Sequence, residues 1–359
     1  MTFPSPGLLA SPVRHDGAAH DPLAGRSLTV CDTTLRDGSH SVAHQFTVDD
    51  VRAIAHGLDA AGVHIVEVTH GDGLGGSSFA YGFAAATDLD LIRAARAELT
   101  TSRLAALLLP GIGTIEDLKE ATDAGIDIVR VATHCTEADI AVQHLKAAKK
   151  LGLETVGFLM MSHMNSPSAL AEQALIMRDA GADTLYVVDS AGAMLPHQVT
   201  ERVHALRDRL GEEVPIGMHA HNNLGSGVTN ALAAAEAGAS VLDGSCHGLG
   251  AGAGNAATEV LAAALDRAGA DTGIAVRQLI DVAEDVVAQR CAGKLPSLDR
   301  GSLLLGYAGI YSSFLLHTRR AAARYAVAEA DILIELGRRR VVGGQEDMII
   351  DVALELASR

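Results

Sequence analysis

The stretch Cys31-Asp32-Thr33-Thr34-Leu35-Arg36-Asp37-Gly38-Ser39-His40 gathers carboxylates, a guanidinium and an imidazole into one short segment. It follows the apolar run Leu28-Thr29-Val30, which predicts a buried strand with ionisable groups where it ends. A second such place is His219-Ala220-His221-Asn222-Asn223, after Pro215-Ile216-Gly217-Met218. Histidines at period-two spacing point the same way from an extended segment. With Asp37, His219 and His221 make a two-histidine, one-carboxylate set that holds a divalent metal and leaves coordination positions open. Nitrogen and oxygen donors admit Mn2+, Mg2+, Zn2+, Fe2+ or Co2+ and do not choose among them. Arg36, beside Asp37, suits a substrate carboxylate or a developing oxyanion, or else an ion pair with Asp32 or Glu67. His40 suits a general base near neutral pH, with a surface-loop histidine as the plain alternative.

Groups this far apart in sequence need a scaffold that brings strand ends together. A repeating pattern supplies one: a helix ends in glycine and a branched apolar run follows. It recurs at Gly62, Gly125, Gly152, Gly181 and Gly238, each a fit for a helix C-terminus just before a strand. Thr47, with Asp50 three residues on, predicts a capped helix running to Ala61-Gly62. Strands fall near residues 30, 66, 107, 129, 156, 186, 216 and 241, an alternation that describes a (β/α)8 TIM barrel. No GxGxxG follows the first strand, which disfavours a doubly wound sheet. Strand two is expected over His64 to Thr69. Polar residues cluster at nearly every strand end, among them Glu67, Asp72, His134, His163, Asp189, Ser190, Asp243 and Cys246.

The loop Gly248-Leu249-Gly250-Ala251-Gly252-Ala253-Gly254-Asn255 reads as a phosphate cradle, as a tight turn carrying Asn255 toward the metal, or as a plain flexible loop. It lacks the Lys-Ser/Thr of a nucleotide loop. Cys135 and Cys246 read as packing residues. Helices are expected near Asn255 to Ala268 and Val276 to Gln289, then a break over Arg290 to Ser297, a segment from Arg300 to His317 and a last helix from Gln345. The domain reading is a tail over 1–27, a catalytic barrel over 28–290 and a mostly helical extension over 291–359. The extension looks too short for a generous core, so contacts with the barrel or a partner subunit would complete its burial.

Of 359 residues, 48% are hydrophobic but only 3% aromatic, with no tryptophan, so the core is aliphatic. A net charge of −16 argues against nucleic acid and against an anionic membrane surface. The four cysteines are far apart without CxxC spacing, as in a reduced, cytoplasmic protein. No apolar run reaches the roughly 18 residues of a membrane span. Residues 1–27 lack the apolar core of a secretory signal.

The motifs around Asp32 to Gly38, His219 to Asn223 and Asn255 resemble the superfamily of hydroxymethylglutaryl-CoA lyase, isopropylmalate synthase and the pyruvate aldolases. Within it, Arg36-Asp37-Gly38-Ser39-His40, His70-Gly71-Asp72-Gly73-Leu74-Gly75-Gly76-Ser77-Ser78 and Gly306-Tyr307-Ala308-Gly309-Ile310-Tyr311-Ser312-Ser313-Phe314 resemble the 4-hydroxy-2-oxovalerate aldolases. The resemblance runs from Leu28 to the C-terminus. It implies metal-dependent cleavage of a 4-hydroxy-2-oxoacid to pyruvate and a short aldehyde, in the catabolism of aromatic compounds or steroids. It implies Mn2+, with Mg2+ or Co2+ as substitutes, on Asp37, His219 and His221, and His40 as the base with Arg36 on the enolate. It places Ser190, His219 and a tyrosine on the substrate; the tyrosine aligns with Tyr311, with Tyr307 close enough to exchange. Leu107 and Leu109 shape the aldehyde pocket by the same alignment. Asn255 matches a metal ligand of the CoA-dependent relatives. The implied partner is an acylating acetaldehyde dehydrogenase, in a heterotetramer of two aldolase and two dehydrogenase chains that channels the aldehyde through contacts of the C-terminal extension. The competing readings are an acetyl-CoA-dependent Claisen-type condensing enzyme acting on a 2-oxoacid, and a non-enzymatic scaffold.

Overall fold

A computed structural model describes residues 21–291 and 293–358. The strands are β1 (Thr29–Asp32), β2 (Ile65–Glu67), β3 (Arg103–Leu108), β4 (Ile128–His134), β5 (Glu154–Met160), β6 (Thr184–Asp189), β7 (Ile216–Ala220) and β8 (Val241–Gly244). Each pairs in parallel with its sequence neighbours, and β1 closes on β8. Around them run α1 (Val48–Ala60), α2 (Asp88–Glu98), α3 (Ile115–Ala124), α4 (Val142–Lys150), α5 (Pro167–Asp179), α6 (Pro196–Leu210), α7 (Gly227–Glu236) and α8 (Thr258–Arg267). The molecule is the (β/α)8 barrel that the glycine–strand alternation predicts. Thr47 and Asp50 exchange the bonds of a capping box at the start of α1, a device worth about 1 kcal/mol.

The strands separate two apolar regions. Their outward residues and the inner helix faces form the main core, with Val66, Leu104, Val129, Leu185 and Leu242 within 2% of full burial. The barrel interior holds Ala105, Leu107, Ile128, Ala132, Val156, Phe158, Tyr186 and Val188. β2 is shorter than expected. Beyond it the chain is diverted by Asp88 at the start of α2, whose carboxylate accepts His70 N–H at 2.7 Å and Gly75 N–H at 3.0 Å.

The expected helix over 276–289 is three pieces: α9 (Val276–Asp281), a π turn (Val282–Val287) and α10 (Ala288–Cys291). The extension folds as α11 (Arg300–Ala308), α12 (Phe314–Tyr325), α13 (Glu329–Arg339) and α14 (Asp347–Ala357). Within the Arg300 to His317 segment α11 ends at Gly309, which is left-handed (φ +69°). The extension also has more core than its composition suggests, built on Leu305, Phe314, Ile332, Leu333, Leu336 and Val352. A polar seam joins it to the barrel. Ser312 donates through both N–H and Oγ to Ser190 O, Asn223 Nδ2 donates to Ser312 Oγ, and Arg340 donates to Met164 O.

Most of the segment read as a tail lies outside the described residues. Its last part packs on the barrel: Leu23 is buried, and Ser27 bridges to Asp271. All four cysteines are buried and free. Among the described residues no helix is long and apolar enough to cross a membrane.

Candidate active site

The ends of β1, β7 and β8 converge. Asp37 Oδ2 lies 3.3 Å from His219 Nε2 and 3.6 Å from His221 Nε2, and the two imidazole nitrogens are 3.4 Å apart. His219 Nδ1 faces Asp243 Oδ2 at 2.9 Å and His221 Nδ1 faces Ala251 O at 3.4 Å. Both Nδ1 protons therefore point at acceptors, and both Nε2 lone pairs point at a carboxylate oxygen. Electron pairs gathered this way, with no proton between them, need a cation. Burial opposes ionisation of Asp37, but Arg36 and the two histidines outweigh it and hold the carboxyl well below its usual range. Burial, the largest influence on His221, pushes it down to about 4, leaving a neutral ligand. For His219 burial is outweighed by the bonds to Asp243 and Asp37, which raise it.

Asn255 sits beside this set. A Cβ at Gly250 would meet both Asn255 Nδ2 (2.6 Å) and Asp37 Oδ1 (3.0 Å), so only glycine fits there. Asn255 Nδ2 donates to Leu249 O at 3.0 Å, while its Oδ1 is buried without a partner among the described residues. These donors fit a divalent metal: two neutral imidazoles, one carboxylate and an unpaired amide oxygen. The glycine-rich loop is not a phosphate cradle. Its amides are engaged internally, Gly250 N–H to Ser41 Oγ, Ala251 N–H to Asp37 Oδ1, Ala253 N–H to Asn223 Oδ1 and Asn255 N–H to Gly248 O.

Arg36 donates from Nε to Glu67 (2.7 Å) and from Nη1 to Asp37 (2.8 Å), so its ion pair is with Glu67 and not Asp32. Its Nη2 is buried with no partner among the described residues, a donor left for a ligand. Glu67 also pairs with Arg130 Nη1 at 3.0 Å, and Arg130 Nη2 pairs with Asp243. Arg130 lies 4.6 Å from the ring centroids of both Phe158 and Tyr186, and the Tyr186 hydroxyl donates to Asp243 Oδ1 at 2.9 Å. The sequence offers Glu67 as a partner of Arg36 and Asp243 only as a strand-end residue, and it assigns nothing to Arg130 or Tyr186. The available signal was Arg130 itself, a charge inside the apolar run of β4. Asp37, Glu67 and Asp243 against Arg36 and Arg130 leave one net negative charge, which a divalent cation inverts.

The other sequence candidates are distributed as follows. His40 is half-buried and lies against Gly71, where a Cβ would come within 2.6 Å of its Nε2. Tyr311 is half-buried; burial first, then the charges of Asp72 and Asp37, raise its hydroxyl pKa and keep it protonated. Tyr307, by contrast, is 76% exposed. Ser190 is buried, and its Oγ accepts Met161 N–H at 3.1 Å. Leu107 and Leu109 belong to the barrel-interior cluster, whose Phe158 meets the His219 ring at 5.4 Å. Burial pushes the Cys135 thiol up to about 12 and raises that of Cys246, so both are packing residues. Asp32 accepts from Thr34 N–H and Thr258 Oγ1 and fastens the β1 loop to α8. A cavity of about 710 Å3 adjoins the site. It is lined by His40, His44, Asp72 and the 250–252 loop on one side and by Pro296, Ser312 and His317 of the extension on the other.

Comparison with known proteins agrees with this geometry. The HMGL-like family matches residues 27–286, and the DmpG-like communication domain matches 296–358. The 4-hydroxy-2-oxovalerate aldolase of Moorella thermoacetica is 56% identical over 94% of this chain and 99% of its own. That of Roseiflexus castenholzii is 59% identical over 91% of this chain and 97% of its own. The crystal structure of the Bacillus subtilis HMG-CoA lyase superposes with a TM-score of 0.65 at 22% identity, covering 76% of this chain and 97% of that one, a likeness of fold. The chain belongs to the 4-hydroxy-2-oxovalerate aldolase family and is a carbon–carbon lyase of that type.

Proposed function

We propose that the chain performs divalent-metal-dependent retro-aldol cleavage of 4-hydroxy-2-oxopentanoate or 4-hydroxy-2-oxohexanoate to pyruvate and a short aldehyde. The observation that carries this reading is the convergence of Asp37, His219 and His221 beside the unpartnered Nη2 of Arg36. The three residues would hold the metal, with Mn2+ the expected ion and Mg2+ or Co2+ able to substitute; Asn255 Oδ1 is a candidate further donor. When bound, the metal supplies Lewis-acid polarisation of the substrate's 2-oxo group. Arg36 Nη2 donates to the oxygen that gains charge as the C3–C4 bond breaks and pyruvate is left as its enolate. His40 accepts the C4 hydroxyl proton. Tyr311, kept protonated, donates a hydrogen bond to the substrate, and Ser190 contacts it from the β6 end. Leu107 and Leu109 border the space for the departing aldehyde and exclude water from it.

Residues 291–359 are proposed to dock an acylating acetaldehyde dehydrogenase, two chains of each forming the assembly through which the aldehyde passes, in the catabolism of aromatic compounds or steroids. The communication-domain match and the exposed Leu298, Leu303, Tyr307 and Leu354 support this. A coupled assay tests the activity: 4-hydroxy-2-oxopentanoate with Mn2+, pyruvate read through lactate dehydrogenase and NADH, and a chelator control. Metal-dependent pyruvate release is expected. Its absence with both substrates and the dehydrogenase present would transfer the site to the acetyl-CoA-dependent condensation, read by thiol release.

A further inference from the structure

The barrel mouth holds a second set of ligands that the cleavage reaction uses only in part. His40, His44 and Asp72 bring two imidazole nitrogens and a carboxylate oxygen within 4.8 Å of one another, and all three line the cavity beside the active site. Asp72 is only 7% exposed. Among the described residues its carboxylate has one charge partner, His70 at 3.6 Å. That ring cannot neutralise it. His70 Nδ1 accepts the Asp72 N–H at 3.1 Å, and Nε2 donates to Gly82 O at 3.1 Å, which fixes a neutral tautomer. A nearly buried carboxylate without a cation is costly to maintain.

The His44 ring is held in place beside this carboxylate by its neighbours. Ser39 Oγ donates to Arg36 O at 2.7 Å and lies 3.0 Å from His44 Nδ1, which leaves Nε2 as the His44 nitrogen that Ser39 does not engage. The His44 ring is stacked on His70 at 3.8 Å and meets His40 edge-on at 4.8 Å, so its plane is held from both sides. Burial, then the neighbouring His40 and His70, hold His44 below its usual range.

We propose that His40, His44 and Asp72 form a second divalent-cation site, and that a cation bound there inhibits cleavage by occupying the lone pair of His40. Two nitrogens and one oxygen with a water in the fourth position suit zinc, which binds such donors more tightly than manganese does. The inhibitory half rests on His40 being the base; the binding half does not.

Full-length enzyme, freed of metal with a chelator and dialysed against fixed free Zn2+, reports binding directly. Wild type is expected to hold two equivalents per chain, and Asp72→Asn and His44→Gln one each. In parallel, cleavage under saturating Mn2+ is titrated with Zn2+, each protein normalised to its own zinc-free rate. Inhibition of the wild type should move to roughly tenfold higher Zn2+ or beyond in both variants. One equivalent in wild type, or two retained in both variants, overturns the site. A second equivalent that the variants lose, without zinc inhibition of the wild type, keeps the site, overturns its inhibitory role and counts against His40 as base. Asp72→Asn is nearly isosteric and carries the test alone if His44→Gln fails to fold.

Discussion

Asp243 Oδ2 lies 2.9 Å from His219 Nδ1, and this contact decides which nitrogen of the ring faces Asp37. The carboxylate cannot rotate away: Tyr186 holds its other oxygen at 2.9 Å, and Arg130 binds Oδ2. Asp243→Asn replaces an acceptor with an amide that can present its nitrogen to His219 and so reverse the tautomer. Mn2+ affinity, read by electron paramagnetic resonance of free ion, is expected to fall about 10- to 100-fold. Unchanged affinity would show that the tautomer is set elsewhere.

Arg36 divides its donors between Glu67, Asp37 and an unpartnered Nη2. Lysine keeps the charge but has no planar fork and cannot make these contacts together. Arg36→Lys is therefore expected to lower kcat by about 100- to 1000-fold, the scale of losing one oxyanion donor. The change in KM should be much smaller. An equal loss appearing wholly in KM would assign Arg36 to ground-state carboxylate binding instead.

The strands, the α1 cap and the convergence of Asp37, His219 and His221 were readable in the sequence because each is written locally. Glycine before an apolar run marks a strand start, and His219-Ala220-His221 fixes two side chains on one side of β7. What was not readable depends on partners far away in the chain. Arg130 pairs with Glu67 and Asp243 across the barrel, a match no spacing rule announces. Nothing in the Arg300 to His317 segment marks Gly309, and not Gly306, as the residue whose left-handed backbone ends α11. The 250–254 loop suggested anion binding from its glycines alone, whereas Asn223, Ser41 and Asp37 take its amides.

Gly217 is a case where structure explains a residue that the sequence left as a neutral member of β7. A Cβ there would collide with the ring of Tyr186. Gly217→Ala must displace that ring, which stacks on Arg130 and holds Asp243. The expected loss of stability is about 1–3 kcal/mol, the usual scale of overpacking. Thermal unfolding measures it, and weaker Mn2+ binding should accompany it, because Asp243 loses its support.

His163 ties the barrel to the extension and makes their contact sensitive to acid. Its Nε2 donates to Gly309 O at 3.2 Å, and Nδ1 is buried without a partner among the described residues. Burial, which outweighs the bond to Gly309, pushes this histidine down to about 4, whereas in an unfolded chain it titrates near about 6.5. Between those values the unfolded chain binds the proton and the folded chain does not, so acidification favours unfolding. The contribution is fully present above the unfolded value, is lost as pH falls toward the folded one, and changes no further below it. Its full size is on the order of 1–3 kcal/mol. Gln at this position can still donate to Gly309 O but does not titrate. Urea midpoints of wild type and His163→Gln, taken at neutral pH and near about pH 5, should therefore converge on acidification, with the wild type losing more. A constant difference between the two proteins at both pH values would mean that His163 is not the group that titrates.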